Sequence, residues 1–152
     1  MVNLPEKMAK ESIRHFLFKG DVLFWDSYLF KDGNKKTSLF IVLTDCINDN
    51  LLVMRATSQL SFYEKSSGFQ REFIKILERE DPLFSKPTIL DLNSVHVFSV
   101  EKMKESYGEK IKMRGTLSKN VFEKLEKLIR NSETLRKDWI NWVLKSKVRG
   151  ST

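Results

Sequence analysis

Three short apolar runs follow one another between residues 20 and 58: Val-Leu-Phe-Trp at 22–25, Leu-Phe-Ile-Val-Leu at 39–43 and Leu-Leu-Val-Met at 51–54. Runs of this length, rich in β-branched and aromatic residues, suit strands and are too short for helices. The links between them are polar and turn-forming. Lys31-Asp32-Gly33-Asn34-Lys35-Lys36 carries an Asp-Gly turn signal followed by paired cations, and Asn48-Asp49-Asn50 is a tight connection. Such closely linked strands pair antiparallel, which limits the fold classes open to the rest of the chain.

The flanks supply helices. Residues 5–18 predict a short helix with Met8, Ile13, Phe16 and Leu17 on its apolar side, ending at Lys19-Gly20. Ser118 is placed to cap a helix carrying Val121, Phe122, Leu125, Leu128 and Ile129, and Ser132 to cap a second with Leu135, Trp139, Trp142 and Val143 on one side. Between them, residues 88–92 and 95–100 read as two strands around an Asn93-Ser94 kink, and 111–117 as a last strand. Ser66-Ser67-Gly68 marks a turn, residues 69–77 fit a strand or one helical turn, and Pro82 and Pro87 bracket an exposed loop. Strands first and helices last make an α+β chain.

At 152 residues, with 41% hydrophobic and 31% charged residues, the chain fits one globular domain spanning 1–152. No apolar run approaches the ~20 residues of a membrane span, and the first residues lack the order of a signal peptide, so a cytoplasmic location is expected. Cys46 is the only cysteine, which leaves no intramolecular disulfide and no cysteine-based zinc site; a structural thiol is expected. The formal charge is +7 and uneven: 13 basic and 13 acidic residues precede residue 100, whereas 14 basic and 7 acidic residues follow from there. A basic region attracts polyanions through their phosphates. Phosphate-cradling glycine loops, HExxH, paired CxxC and Gly-x-Ser-x-Gly are absent from the sequence, so no metal or nucleotide cofactor is expected.

One pattern is shared with a known family. Gly20-Asp21-Val22-Leu23 opens an apolar strand, a hairpin ends in Lys35-Lys36-Thr37-Ser38, and the third strand ends in Ala56-Thr57-Ser58. Residues 88–98 then look like paired late strands, and 111–117 like a closing strand before a helix. Over about residues 19–131 this resembles the toxins of the PemK/MazF/Kid family, which have Arg-Pro where this chain has a lysine pair and Thr37-Ser38. The resemblance implies a mostly antiparallel, SH3-like (PemK/CcdB-type) β-barrel of about five to seven strands at about 19–117, with an N-terminal helix and C-terminal helices at about 118–147. It also implies a sequence-selective, metal-independent endoribonuclease that cuts single-stranded RNA, leaves cyclic phosphate ends, and is restrained by a cognate antitoxin, protein or RNA.

Cutting RNA without a metal requires a base for the 2′-hydroxyl, a cation for the phosphorane and an acid for the leaving 5′-oxygen. Lys36 is the expected catalytic cation, since it stands nearest the family's arginine. Thr57 and Ser58 are the catalytic hydroxyls, with Thr57 favoured because strand alternation sends one of the two to a given face. Lys35, Arg55 and His96 are expected to bind RNA; His96 falls near a basic position of the family's late strands, and its near-neutral pKa also makes it a candidate base. Asp91 is expected to hold a nearby cation, and Phe24, Trp25 and Tyr28 to face either bases or core, with core for Phe24. Trp139 and Trp142, if exposed, suit a protein antitoxin or a homodimer. Two alternatives stand beside this: a non-catalytic nucleic-acid- or protein-binding module on the same barrel, and a toxin of the type III kind restrained by RNA.

Overall fold

Side-chain alternation sorts the strands into a single sheet with two buried faces. The computed structural model describes residues 5–30, 32–58, 72–77 and 80–149. Strands β1 (Asp21–Leu29), β2 (Lys35–Val42), β3 (Asn50–Thr57), β4 (Phe73–Ile76), β5 (Thr88–Ser99) and β6 (Ile111–Thr116) form one antiparallel sheet in the order β4-β5-β3-β2-β1-β6. The helices among the described residues are α1 (Glu6–Phe16), α2 (Val100–Met103), α3 (Lys119–Arg130) and α4 (Lys137–Lys145). None of them is long and apolar enough to cross a membrane.

On one face Val22, Ile41, Leu52, Met54 and Leu90 pack against Val121, Leu125 and Ile129 of α3 and Val143 of α4. On the other, Leu23, Trp25, Phe40, Val53 and Phe98 meet Ile13 of α1 and Met103 of α2. Each such side chain, fully buried, stabilises the fold by about 1.5–3 kcal/mol before entropy is counted. Ser118 caps α3 as the sequence predicts, its Oγ accepting from Val121 N. The Asn-Asp turn is built from Asn48 (φ 52°) and Asp49 (φ 59°), both left-handed as a tight hairpin requires.

Two bulges aim the side chains that matter later. Trp25 pairs with Ser38 but Tyr28 with Lys36, so β1 carries one extra residue at Asp26-Ser27, where Ser27 has φ 56°. That residue returns Tyr28 to the face of Trp25, although the two are an odd number apart. In β6, Leu23 pairs with Met113 and Val22 with Gly115, which leaves Arg114 as the bulged residue. Gly115 has φ 154°, and a Cβ there would lie 2.8 Å from Leu83 Cδ2. Leu83 belongs to the loop before β5, at the far side of the sheet. The loop therefore bridges toward β6, and buried Asp81 fastens it by accepting from Leu83 N at 3.0 Å and Ser118 N at 2.7 Å.

The expectations meet different outcomes. β4 and β6 are the sheet's edges and form no ladder with each other among the described residues, so strand pairing leaves the expected barrel open. The two strands foreseen at 88–100 are one, β5, whose pairing to β3 shifts around Asp91–Ser94. Residues 73–76 are a strand; the Ser66-Ser67-Gly68 turn lies outside the described residues. On α1 the buried residues are Ala9 and Ile13, whereas Met8 and Phe16 are exposed, because the buried row follows i, i+4. The proline-bracketed loop is only partly exposed, with Phe84 buried. Trp139 and Trp142 are half-buried against the core, and Trp142 Nε1 donates to Asp45 O at 3.1 Å.

Ser132 does not cap α4, which starts at Lys137 behind Arg136. Instead Ser132 Oγ donates to Glu72 Oε1 at 2.6 Å, and Glu133 N donates to Oε2 at 2.9 Å. Thr134 adds its N–H and its hydroxyl to the same carboxylate. Partial burial works against ionisation of Glu72, but these donors together outweigh it and hold its pKa below the usual glutamate range. A carboxylate with a lowered folded pKa stabilises the fold above its unfolded pKa, and that stabilisation disappears as pH falls through the folded value. Glu72→Gln is therefore expected to lower stability by about 1–2 kcal/mol at neutral pH, the scale of charge-assisted hydrogen bonds. The gap in thermal midpoint between the two proteins should narrow as pH falls through the ordinary glutamate range and close below it. A gap that stays constant from pH 7 to 3 would remove the ionised carboxylate from this role.

Candidate functional site

A cleft of about 480 Å³ opens where three strands run in register. Phe24 of β1 lies beside Leu39 of β2, and Leu39 beside Ala56 of β3, which makes an apolar floor. Lys36 and Thr37 reach it from the start of β2. Arg55 and Thr57 reach it from the end of β3, with Ser58 one residue beyond. The loop before β5 adds Lys86, and β6 adds Arg114 from its bulge.

Local chemistry explains each placement. Asp32 Oδ1 accepts from Asn34 N at 2.9 Å, and Gly33 has φ 89°, so the hairpin turns sharply and delivers exposed Lys36 to the mouth of β2. Thr37 Oγ1 donates to Asp26 Oδ1 at 3.2 Å, which fixes the second wall of that hairpin. The Arg55 guanidinium lies 4.9 Å over the Phe30 ring, and that of Arg114 lies 5.7 Å over Phe24. A guanidinium stacked on a ring is held in place yet keeps N–H groups for an anion.

The cleft thus joins four cations to several hydroxyls, and no carboxylate or imidazole lines it among the described residues. Fixed cations beside hydroxyl donors make a good seat for phosphate oxygens. No cluster of His, Cys, Asp or Glu able to hold a metal ion is found among the described residues.

Of the residues singled out in the sequence, Lys36, Arg55, Thr57 and Ser58 are brought together here. Lys35 is exposed and does not line the cleft. His96 lines a neighbouring depression instead. Asp91 is buried, and its Oδ1 accepts from Asn93 N at 2.8 Å, so it shapes the β5 kink. Phe24 is half-buried and belongs to the cleft floor rather than the core, while Trp25 is core. Cys46 is half-buried, and burial pushes its thiol pKa up, as suits an inert cysteine.

Lys86 and Arg114 escape a sequence reading. For Arg114 one signal exists: Gly115 inside a strand marks a bulge, and a bulge redirects the residue beside it. Lys86 has no local signal, since only the loop's anchoring at Asp81 brings it round. The basic excess beyond residue 100 contributes Arg114 alone to the cleft lining described here. Other cations of that half pair with acids, Lys124 with Glu80 at 2.7 Å and Arg130 with Glu126 at 3.3 Å. The chain matches no family model and no curated protein.

Proposed function

We propose that the cleft seats single-stranded RNA by its phosphates and that the chain is a metal-independent endoribonuclease of the toxin kind, restrained by an antitoxin in the cytoplasm. The observation that carries this is the convergence of Lys36, Arg55, Lys86 and Arg114 with Thr57 and Ser58 on one aromatic-floored cleft. The RNA 2′-oxygen attacks the adjacent phosphorus and the bond to the 5′-oxygen breaks, giving a 2′,3′-cyclic phosphate and a 5′-hydroxyl. Arg55 and Lys36 hold the phosphorane charge, and Thr57 donates to a non-bridging oxygen. The 2′-proton leaves to water, and water or a lysine ammonium protonates the 5′-oxygen. In the same proposal the sheet is a variant of the SH3-like barrel. The loop that reaches from the β5 side to Gly115 of β6 supports that, since it brings opposite edges of the sheet close.

One observation favours a non-catalytic RNA-binding module as the second reading: the described lining offers no imidazole or carboxylate to take the 2′-proton. The test is cleavage of end-labelled single-stranded RNA in EDTA, with the product ends identified. Cleavage to cyclic phosphate ends supports the enzyme; binding without cleavage leaves the module. In either case affinity should fall with salt, log K against log[salt] sloping by roughly −0.7 per phosphate contact, near −3 for four contacts. A flat salt dependence would exclude a phosphate seat.

A further inference from the structure

The cleft does not stop at the Phe30–Arg55 pair. These two residues also form a wall of a second depression of about 570 Å³. Its floor is aromatic and rigid: Tyr28 lies edge-on to Phe30 at 5.0 Å and to Phe40 at 5.0 Å, and Phe40 edge-on to Phe98 at 5.0 Å. Phe40 and Phe98 are core residues, so the floor is held from beneath. Lys102 Nζ donates to Tyr28 Oη at 3.1 Å and lies 4.4 Å over Phe98, which closes one end. The β5 kink adds exposed Asn93 and half-buried Ser94 to the lining.

A cationic, hydroxyl-rich cleft and an aromatic depression sharing one wall match the two halves of an unpaired nucleotide. Its phosphate needs charge, and its splayed base needs a ring to stack on and amide groups to meet its edge. We propose that the second depression receives one nucleobase of the strand whose phosphates occupy the cleft, stacked on Phe30 and read at its edge by Asn93; this rests on the RNA reading of the cleft. The site would then choose its RNA by base at this position, while the cleft contributes affinity without choice.

Binding of non-cleavable 2′-O-methyl homopolymers of A, U and C, against inorganic polyphosphate of equal phosphate number, tests this. The wild type should bind at least one homopolymer roughly tenfold or more above polyphosphate, and the homopolymers should differ. Phe30→Leu keeps apolar bulk beside Tyr28 but removes the ring, and should weaken homopolymers by roughly five- to a hundredfold more than it weakens polyphosphate, whose own loss reports the freed Arg55. Asn93→Ala should level the homopolymers. If Arg114→Ala weakens every probe while Phe30→Leu and Asn93→Ala behave as wild type, the base subsite is overturned and the phosphate cleft stands. Equal wild-type affinity for polyphosphate and all homopolymers also overturns the subsite, and binding of no probe overturns both.

Discussion

Lys36→Ala is expected to slow RNA cleavage by roughly 10²-fold or more, the scale of losing one preorganised contact to transition-state charge. Lys35→Ala, one residue earlier on β2, is expected to leave the rate near wild type, because only Lys36 lines the cleft. The pair makes a sharp comparison: the same charge is removed from neighbouring positions of one strand, and only Lys36 lines the cleft. Lys36→Arg should retain or raise activity by supplying a planar donor. Thr57→Ala should slow cleavage with the fold intact, since it removes one hydroxyl at a strand end. Single-turnover rates in EDTA would measure all four. If Lys35→Ala and Lys36→Ala slow the reaction equally, the effect is one of bulk charge and Lys36 has no assigned place in the reaction.

Asp21→Ala is expected to cost about 3 kcal/mol or more of folding stability, read from denaturant midpoints at neutral pH. Asp21 is fully buried. Its Oδ2 accepts from Phe18 N at 2.8 Å and from Arg149 Nη2 at 2.6 Å, and its Oδ1 from Thr116 Oγ1 at 3.0 Å. Alanine would strand three donors from three parts of the chain: the turn after α1, the end of β6 and the C-terminal segment. The Arg149 side chain is 40% exposed, so water relieves its share, and the loss should lie at the low end of the range for broken buried pairs. The double variant Asp21→Ala/Arg149→Ala should recover part of the loss, because the orphaned guanidinium goes with it. Additive losses would show that the two do not act as a pair.

What the sequence revealed is local. Ser118 and the stripe of Val121, Leu125 and Ile129 form a helix because the cap and the period are written in adjacent residues. Lys36 and Thr57 could be placed because a hairpin fixes which strand ends lie side by side. Ser132 shows the limit: it has the chemistry of a cap, but a carboxylate 60 residues away, Glu72, engages it. Arg114 and Lys86 face the same cleft only because the chain folds back far along its length, and no window of sequence holds both. The tryptophans of α4 are legible as an apolar side but not as half-buried, since both pack on the core beneath and Trp142 reaches distant Asp45.

The extra residue in β1 makes chain length, more than the identity of the side chain, the quantity under constraint at position 27. Ser27 at φ 56° is exposed, so glycine or asparagine would be tolerated there at little cost. A one-residue deletion is another matter. It would rotate everything beyond it by half a turn of the strand and send Tyr28 and Phe30 outward where Leu29 now stands. Relatives of this chain should therefore keep the number of residues here while position 27 varies among those that accept a positive φ, and a chain one residue shorter here would keep its sheet but exchange its aromatic depression for an aliphatic one.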